Sequence, residues 1–452
     1  MTGIFRAYDI RGVFPDELTE QVANRTGKAI VNYIKELTKE EKLTLVIGID
    51  MRASSPLLKQ QVVEGMVDQG ANVIDIGMVS TPAFYYAVAS GGYDGGIMVT
   101  ASHNPKEYNG LKLVTAGAKP IGEGNGMEEV EKLVLNNLFE SKEVGIIKKV
   151  ENIPEAHVDY ERHFSSVAKI KPLKIVVDTA NGMGYQFLKI LFQSMNCEVT
   201  YLFDEPDGNF PNHEADPLKE ENNKAIQEKI REIGADLGIA ADGDGDRVFF
   251  MDETGKTIPQ QIIRGLLGQI FLRTNPGATI CYDIRPGKIT PEMITNAGGK
   301  AVMTRVGHSL IKATMLEEDA VFGGENSGHM FVKFPFGTYE APVVIILKLL
   351  DEWSHMNKKV SEIIKPYEKY FHSGEINSEV EDKQGKMKAI ADIYKDTAKD
   401  INWLDGVSID CEDYWFNIRP SNTEPKLRFT LEAVSLEIME KKRDEILKII
   451  RS

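Results

Sequence analysis

Short, almost wholly apolar runs punctuate the chain, and several stop at an aspartate: Leu45 to Asp50, Ile175 to Asp178 and Ile280 to Asp283. Runs of this length without polar alternation predict strands buried on both faces, and the stretches between them carry helical periodicity. A second set follows the same rule with an aspartate at its start: Asp94-Gly-Gly-Ile-Met-Val, Asp236-Leu-Gly-Ile-Ala-Ala and Asp319-Ala-Val-Phe-Gly-Gly. In each of these, polar residues arrive six and eight positions later: Thr100 and Ser102, Asp242 and Asp244, Glu325 and Ser327. Between the two sets lie a turn of small residues, a helix, a strand and a second helix. The pattern therefore repeats three times and predicts three tandem α/β modules with mainly parallel sheets. In such sheets ligands gather beyond the carboxyl ends of the strands, so the three polar loops are expected to face a common, central cleft.

The tail breaks the pattern. Tyr414 to Ile418 and Lys426 to Ala433 read as strands, and Leu436 to Ile450 as a charged amphipathic helix, which predicts a smaller α+β domain. Turn-forming or polar sites at Asn152-Ile-Pro, Met251-Asp-Glu-Thr-Gly255 and Lys365-Pro-Tyr divide the chain into expected domains at 1–151, 152–254, 255–365 and 366–452. At 452 residues the chain is too long for one core.

Charge and cysteine content narrow the function classes. With 53 Lys and Arg against 68 Asp and Glu, the net charge is −15, and no basic block accumulates, which argues against nucleic acid as a partner. Cys197, Cys281 and Cys411 lie far apart and suit a reduced interior. The amino terminus lacks an apolar signal core, and the longest apolar run, Ala341 to Leu350, is interrupted by Lys348. A cytoplasmic protein without a membrane span is expected. Oligomeric state is not legible.

The most specific chemistry lies in Asp242-Gly-Asp-Gly-Asp-Arg247. Carboxylates at alternating positions point one way, and the intervening glycines let the backbone bend around one ion. Oxygen-only ligands favour a hard cation such as Mg²⁺. An EF-hand is disfavoured because its sixth position is Arg247 rather than Gly, and because both flanks read as strands. Met98-Val-Thr-Ala-Ser-His-Asn-Pro105 sets Ser102 beside His103 at a strand end, in repeat register with the aspartates. In that register Ser102 is a candidate phosphotransfer nucleophile, the cation neutralising charge on a phosphoryl group carried by its oxygen. Arg419-Pro-Ser-Asn-Thr-Glu-Pro-Lys-Leu-Arg428 combines guanidinium, hydroxyl and amide donors fit to grip a phosphate. Gly323-Gly-Glu-Asn-Ser-Gly-His329 suits sugar hydroxyls, whereas Gly122-Glu-Gly-Asn-Gly126 follows no strand and reads as a turn.

Together these four loops resemble the signature loops of the α-D-phosphohexomutases, in family order across nearly the whole chain. Phe5-Arg-Ala-Tyr-Asp-Ile-Arg-Gly12, Tyr108-Asn-Gly-Leu-Lys112 and Thr304-Arg-Val-Gly-His308 join the match, and the branch most resembled is phosphomannomutase/phosphoglucomutase. The resemblance implies three related α/β domains and a fourth domain around a cleft. It also implies that Ser102 is carried as phosphoserine, with Mg²⁺ bound by its phosphate and by Asp242, Asp244 and Asp246. Hexose 1-phosphate and hexose 6-phosphate would interconvert through a hexose 1,6-bisphosphate. By motif position, Arg419, Ser421, Asn422 and Thr423, supported by Arg428, would hold the phosphate that is not transferred. Glu325 and Ser327 would bind sugar hydroxyls. His329 and Lys112 would move the proton, Arg247 and His308 would contact substrate, and Tyr8, Arg11 and His103 would line the phosphoserine side. Hinge motion near Lys365 is expected, to let the bisphosphate turn. Asn326 leaves the sugar open between mannose, glucose and glucosamine, which keeps phosphoglucosamine mutase as the alternative, ahead of an aspartate-nucleophile sugar phosphatase.

Overall fold

The computed structural model describes residues 3–140, 144–167, 169–285, 287–421 and 426–452. They form two compact units, one of Met1–Ile258 with Ser327–Ser361 and one of Pro259–Asn326 with Glu362–Ser452.

In the first unit, β1 (Ile10–Val13) and α1 (Glu20–Thr38) precede β2 (Thr44–Ile49), α2 (Ser55–Asp68), β3 (Asn72–Met78), α3 (Thr81–Ser90), β4 (Gly95–Val99) and β5 (Tyr108–Thr115). The short β6 (Lys119–Pro120), α4 (Met127–Asn136) and β7 (Ile147–Lys149) complete a sheet of order β1-β5-β4-β2-β3-β7, with β6 on β5. Then come α5 (Ile153–Ser165), β8 (Lys174–Asp178), α6 (Gly184–Gln193), β9 (Glu198–Leu202), α7 (Lys224–Ile233), β10 (Leu237–Ala241) and β11 (Val248–Met251), in a sheet of order β11-β10-β8-β9.

The second unit carries the third module: α8 (Gln260–Thr274), β12 (Thr279–Asp283), α9 (Ile289–Asn296), β13 (Lys300–Thr304), α10 (His308–Glu317) and β14 (Phe322–Gly324). The hairpin β15 (Met330–Phe334) and β16 (Gly337–Glu340), with α11 (Pro342–His355), belongs to the first unit. The C-terminal domain, in the second unit, follows α12 (Val360–Ile364) with β17 (Phe371–His372), β18 (Ile376–Glu379), α13 (Lys383–Tyr394), β19 (Asp400–Asn402), β20 (Val407–Asp410), β21 (Tyr414–Pro420), β22 (Lys426–Ala433) and α14 (Leu436–Arg451). Its sheet is antiparallel, in the order β17-β22-β21-β20-β19.

The three modules share one topology. Parallel pairing places β2 between β4 and β3, β8 between β10 and β9, and β12 between β14 and β13. In each, a helix, α1, α5 or α8, that the apolar runs alone did not reveal precedes the first of these parallel strands. β4 and β10 are buried at every residue, which is why they read as unbroken apolar runs. The repeated aspartates Asp94 and Asp236 lie one residue ahead of their strands rather than within them. Each does the same job: Asp94 Oδ2 accepts from Thr44 N and Asp236 Oδ2 from Lys174 N, both at 2.7 Å, stapling the start of the neighbouring strand. α3 starts where Ser80 accepts from Ala83 N with a proline in the first turn, so its N-terminus is fixed close to the polar loops.

Candidate active site

Two loops and a strand of the first unit converge. β4 delivers Ser102, the β10–β11 hairpin delivers the aspartate row, and β5, antiparallel to β4 with Lys112 opposite Met98, delivers Lys112. The flanking strands of the aspartate row form a β-hairpin, which disposes of the EF-hand reading.

Ser102 Oγ donates to Asp242 Oδ2 at 2.8 Å across 140 residues of sequence. It also lies 3.3 Å from His103 Nδ1 and accepts from Arg247 Nη2 at 3.3 Å. Ser102 adopts a left-handed backbone, φ 50°, a conformation worth about 1–3 kcal/mol of strain that the surroundings must hold. Its N–H donates to Thr100 Oγ1 at 2.9 Å. Gly243 lets the loops meet: a Cβ there would lie 2.3 Å from Ser102 O.

Asp242, Asp244 and Asp246 are fully or almost fully buried, and each offers an oxygen within 4.8 Å of the others. Arg247 Nε and Nη2 donate to Asp242 Oδ2 at 2.9 and 2.7 Å. Lys112 Nζ bridges Asp244 Oδ2 at 2.8 Å and Asp246 Oδ2 at 2.5 Å. Asp244 Oδ2 also accepts from Thr81 Oγ1 at 2.6 Å, at the N-terminus of α3. The opposite oxygens are less satisfied. Asp244 Oδ1 is buried with no hydrogen-bond partner among the described residues, and Asp246 Oδ1, also buried, lies 3.3 Å from His329 Nε2 and 3.7 Å from Arg247 Nε. Orphaned oxygens on Asp244 and Asp246, in a cluster of three converging carboxylates, are the kind of donor set a hard divalent cation takes, so the residues fit that group.

The electrostatics agree. Burial, and then repulsion from Asp246 and Asp244, push Asp242 up to about 7 against the pull of Arg247. Asp246 is held well below the usual carboxylate range, since Lys112 and His329 outweigh its burial. For Lys112, burial alone would lower the value, but Asp244 and Asp246 carry it well above normal. Burial, then the Arg247 and Arg11 guanidiniums, drive His103 well below 6.5, so at neutral pH it is uncharged and accepts from Arg247.

Other expected residues of the first unit gather here. Arg11 pairs with Asp9 and donates from Nη1 to Asn104 Oδ1 of the Ser102 loop at 2.6 Å. Tyr8 is half-buried in the bend before β1. His329 forms a bridge with Arg247, and its Nδ1 lies 3.2 Å from Ser327 Oγ.

The second unit gathers the rest. Glu325, directly after β14, accepts from Gly307 N at 2.7 Å, which brings it beside His308 at the start of α10. Arg419 on β21 and Arg428 on β22 are register partners, and both donate to Glu375, at 2.6 and 3.2 Å. Burial, then the nearby Arg285, lowers Arg419. Ser421 is buried, and Lys383 Nζ donates to its carbonyl at 3.1 Å. Asn422 and Thr423 lie outside the described residues.

Sequence reasoning missed Thr81, Arg285, Glu375 and Lys383 at these sites, and Glu340, which offers an oxygen within 4.8 Å of ligand atoms of Asp246 and His329. Only Arg285 left a signal: Asp283-Ile-Arg285 repeats the spacing of Asp50-Met-Arg52.

Family models match all four domains in order. They are phosphoglucomutase/phosphomannomutase alpha/beta/alpha domain I over residues 2–141, domain II over 151–255, domain III over 260–370 and the C-terminal domain over 375–449. The chain belongs to the phosphoglucomutase/phosphomannomutase family. A phosphomannomutase of Vibrio cholerae is 38% identical, covering 99% of this chain and 98% of that one. One of Methanocaldococcus jannaschii is 37% identical, covering 99% and 97%. The crystal structure of a phosphoglucomutase/phosphomannomutase family protein from Burkholderia thailandensis superposes with a TM-score of 0.90 at 31% identity, over 100% of this chain and 98% of that one. Three α/β domains followed by a C-terminal domain are the architecture of this family, and the chain is a phosphotransferase of the hexose-phosphate mutase type. The phosphoglucosamine mutase and phosphatase alternatives are not favoured. Among the described residues no helix is long and apolar enough to cross a membrane.

Proposed function

We propose that the enzyme interconverts the 1- and 6-phosphates of mannose or glucose, with Ser102 carrying the phosphoryl group and a hexose 1,6-bisphosphate as intermediate. The observation that carries this reading is the 2.8 Å approach of Ser102 Oγ to an aspartate of a three-carboxylate cluster built to hold a divalent cation. Mg²⁺, held by Asp242, Asp244 and Asp246 with the phosphate on Ser102, would supply cancellation of charge on the transferring group.

The chain's own residues do the rest. Arg247 spans the metal loop and Ser102 Oγ, so its guanidinium is placed to steady the oxygen that gives up or receives phosphate. Neutral His103 keeps that guanidinium aimed at Ser102. His329 faces Asp246 and Ser327, and with Lys112 it is the proton carrier for the reacting sugar hydroxyl. Arg11 and Tyr8 line the Ser102 side. Glu325, His308 and Ser327 bind the sugar, and Arg419, Ser421, Asn422, Thr423 and Arg428 hold the phosphate at rest. Domain limits at 1–151, 152–254, 255–365 and 366–452 place one such loop in each domain, and a cytoplasmic location accords with the sugar phosphates as partners.

A coupled assay with mannose, glucose and glucosamine 1-phosphates, primed with bisphosphate, tests the reading beside Ser102→Ala. Turnover of mannose or glucose phosphate, lost by several orders of magnitude in the variant, is expected. Equal activity in Ser102→Ala, or turnover confined to glucosamine phosphate, would contradict it.

A further inference from the structure

The aspartates that end the first strand of each module take no part in the chemistry described above, yet each is buried. Asp50 is paired with Arg52, whose guanidinium is fully enclosed. Every N–H of that guanidinium is directed at an acceptor. Nε meets Asp50 Oδ2 at 3.2 Å. Nη1 donates to the carbonyls of Pro105 and Tyr108 at 2.8 and 3.0 Å. Nη2 donates to those of Ser102 and Asn104 at 2.8 and 2.6 Å. Asp50 Oδ1 accepts from Arg52 N at 3.0 Å and from Ser55 Oγ at 2.6 Å, and its N–H is tied to Val99 O at 3.0 Å. The ring of Phe210 covers the guanidinium at 5.2 Å.

We propose that Arg52, oriented by Asp50, is the positioning residue of the phosphoryl-transfer loop, fixing the Ser102 backbone so that Oγ is held at the metal carboxylates. This rests on Ser102 being the phosphoryl carrier. Only a planar fork with five donors reaches four carbonyls at once, and an ammonium with three cannot. Ser102 O is gripped by Arg52 on one side and abutted by Gly243 on the other, which holds the left-handed φ of Ser102. The device recurs at the third module. Asp283 Oδ1 accepts from Arg264 Nη1 and from Asn326 N, and the same Nη1 reaches Gly324 O at 3.3 Å, at the head of the sugar loop. A buried Asp–Arg pair under two chemical loops of different sequence ties the pair to loop placement.

The test uses Arg52→Lys and Asp50→Asn in the full chain, with thermal unfolding, kcat and KM for the hexose phosphate, and the ³¹P resonance of the phosphorylated enzyme. We expect folded variants whose kcat falls about 100-fold, as for a displacement of about 1 Å in the reacting group. KM should stay within about threefold, and the phosphoserine resonance should move toward that of free phosphoserine. If Arg52→Lys does not fold, Ser55→Ala, which removes one bond to Asp50, should show the same split at smaller amplitude. Folded variants with wild-type kcat, or with a raised KM and an unmoved resonance, would overturn the proposal. Phosphoserine in the wild type with unaffected variants would sink this proposal alone, whereas no phosphoserine in the wild type would sink the function reading beneath it.

Discussion

Removing Lys112 isolates the electrostatic logic of the site. In Lys112→Met a cation bridging Asp244 and Asp246 at 2.8 and 2.5 Å is lost, leaving three buried carboxylates with Arg247 as the close guanidinium. Breaking a buried ion pair on one side costs about 3–5 kcal/mol, because the remaining charge has no counterpart. The experiment belongs at pH 8, above the value of about 7 to which burial and its carboxylate neighbours push Asp242, so that proton uptake does not mask the loss. Trp353 packs on Phe250 in the first unit, so a Trp403→Phe, Trp415→Phe background gives a fluorescence signal specific to the unit that holds Lys112. Urea unfolding is then compared in chelator and in excess Mg²⁺. A destabilisation of about 3–5 kcal/mol in chelator should shrink by at least about 1.4 kcal/mol with the metal, a tenfold gain in metal affinity from removing a competing charge. A loss below about 1 kcal/mol, or one unchanged by Mg²⁺, would refute the argument.

Gly243→Ala puts a methyl 2.3 Å from Ser102 O and must separate the two loops; kcat should drop about 100-fold with little change in unfolding temperature, and wild-type kcat would contradict the close approach. Glu432, almost fully buried on β22, accepts from Lys288 N at 2.9 Å, and burial pushes it up to about 7. The folded protein then binds more protons than the unfolded chain between about pH 4.5 and 7. Its contribution is full below that window and is lost as pH rises through it, by about 3 kcal/mol. In Glu432→Gln the stability of the second unit, followed by Trp415 fluorescence, should lose that slope, and an unaltered pH profile would exclude the assignment.

The strands and their threefold order were legible because parallel strands covered on both faces leave short apolar runs, as at Leu237–Ala241, and here each is tied to an aspartate in a repeated order; the longer run Ala341 to Leu350 is instead the buried helix α11. The aspartate row was legible because its carboxylates sit at alternate positions of one short loop. Residues whose roles depend on remote carbonyls were not. Nothing around Arg52 says that its fork reaches residues 102 to 108, and Thr81 shows its worth only once α3 abuts the hairpin that holds Asp244. The leading helices α1, α5 and α8 went unread as part of the repeat because they share no fixed residue that self-comparison could align.

The account stands on Ser102 carrying phosphate beside the carboxylate cluster, and intact-mass and peptide mass spectrometry after incubation with a hexose 1,6-bisphosphate tests that most directly. Acid-stable phosphate on Ser102, discharged stoichiometrically on adding hexose 1-phosphate, is the predicted result. Hydroxylamine-labile phosphate on Asp242, or an unmodified Ser102 in active enzyme, would contradict it.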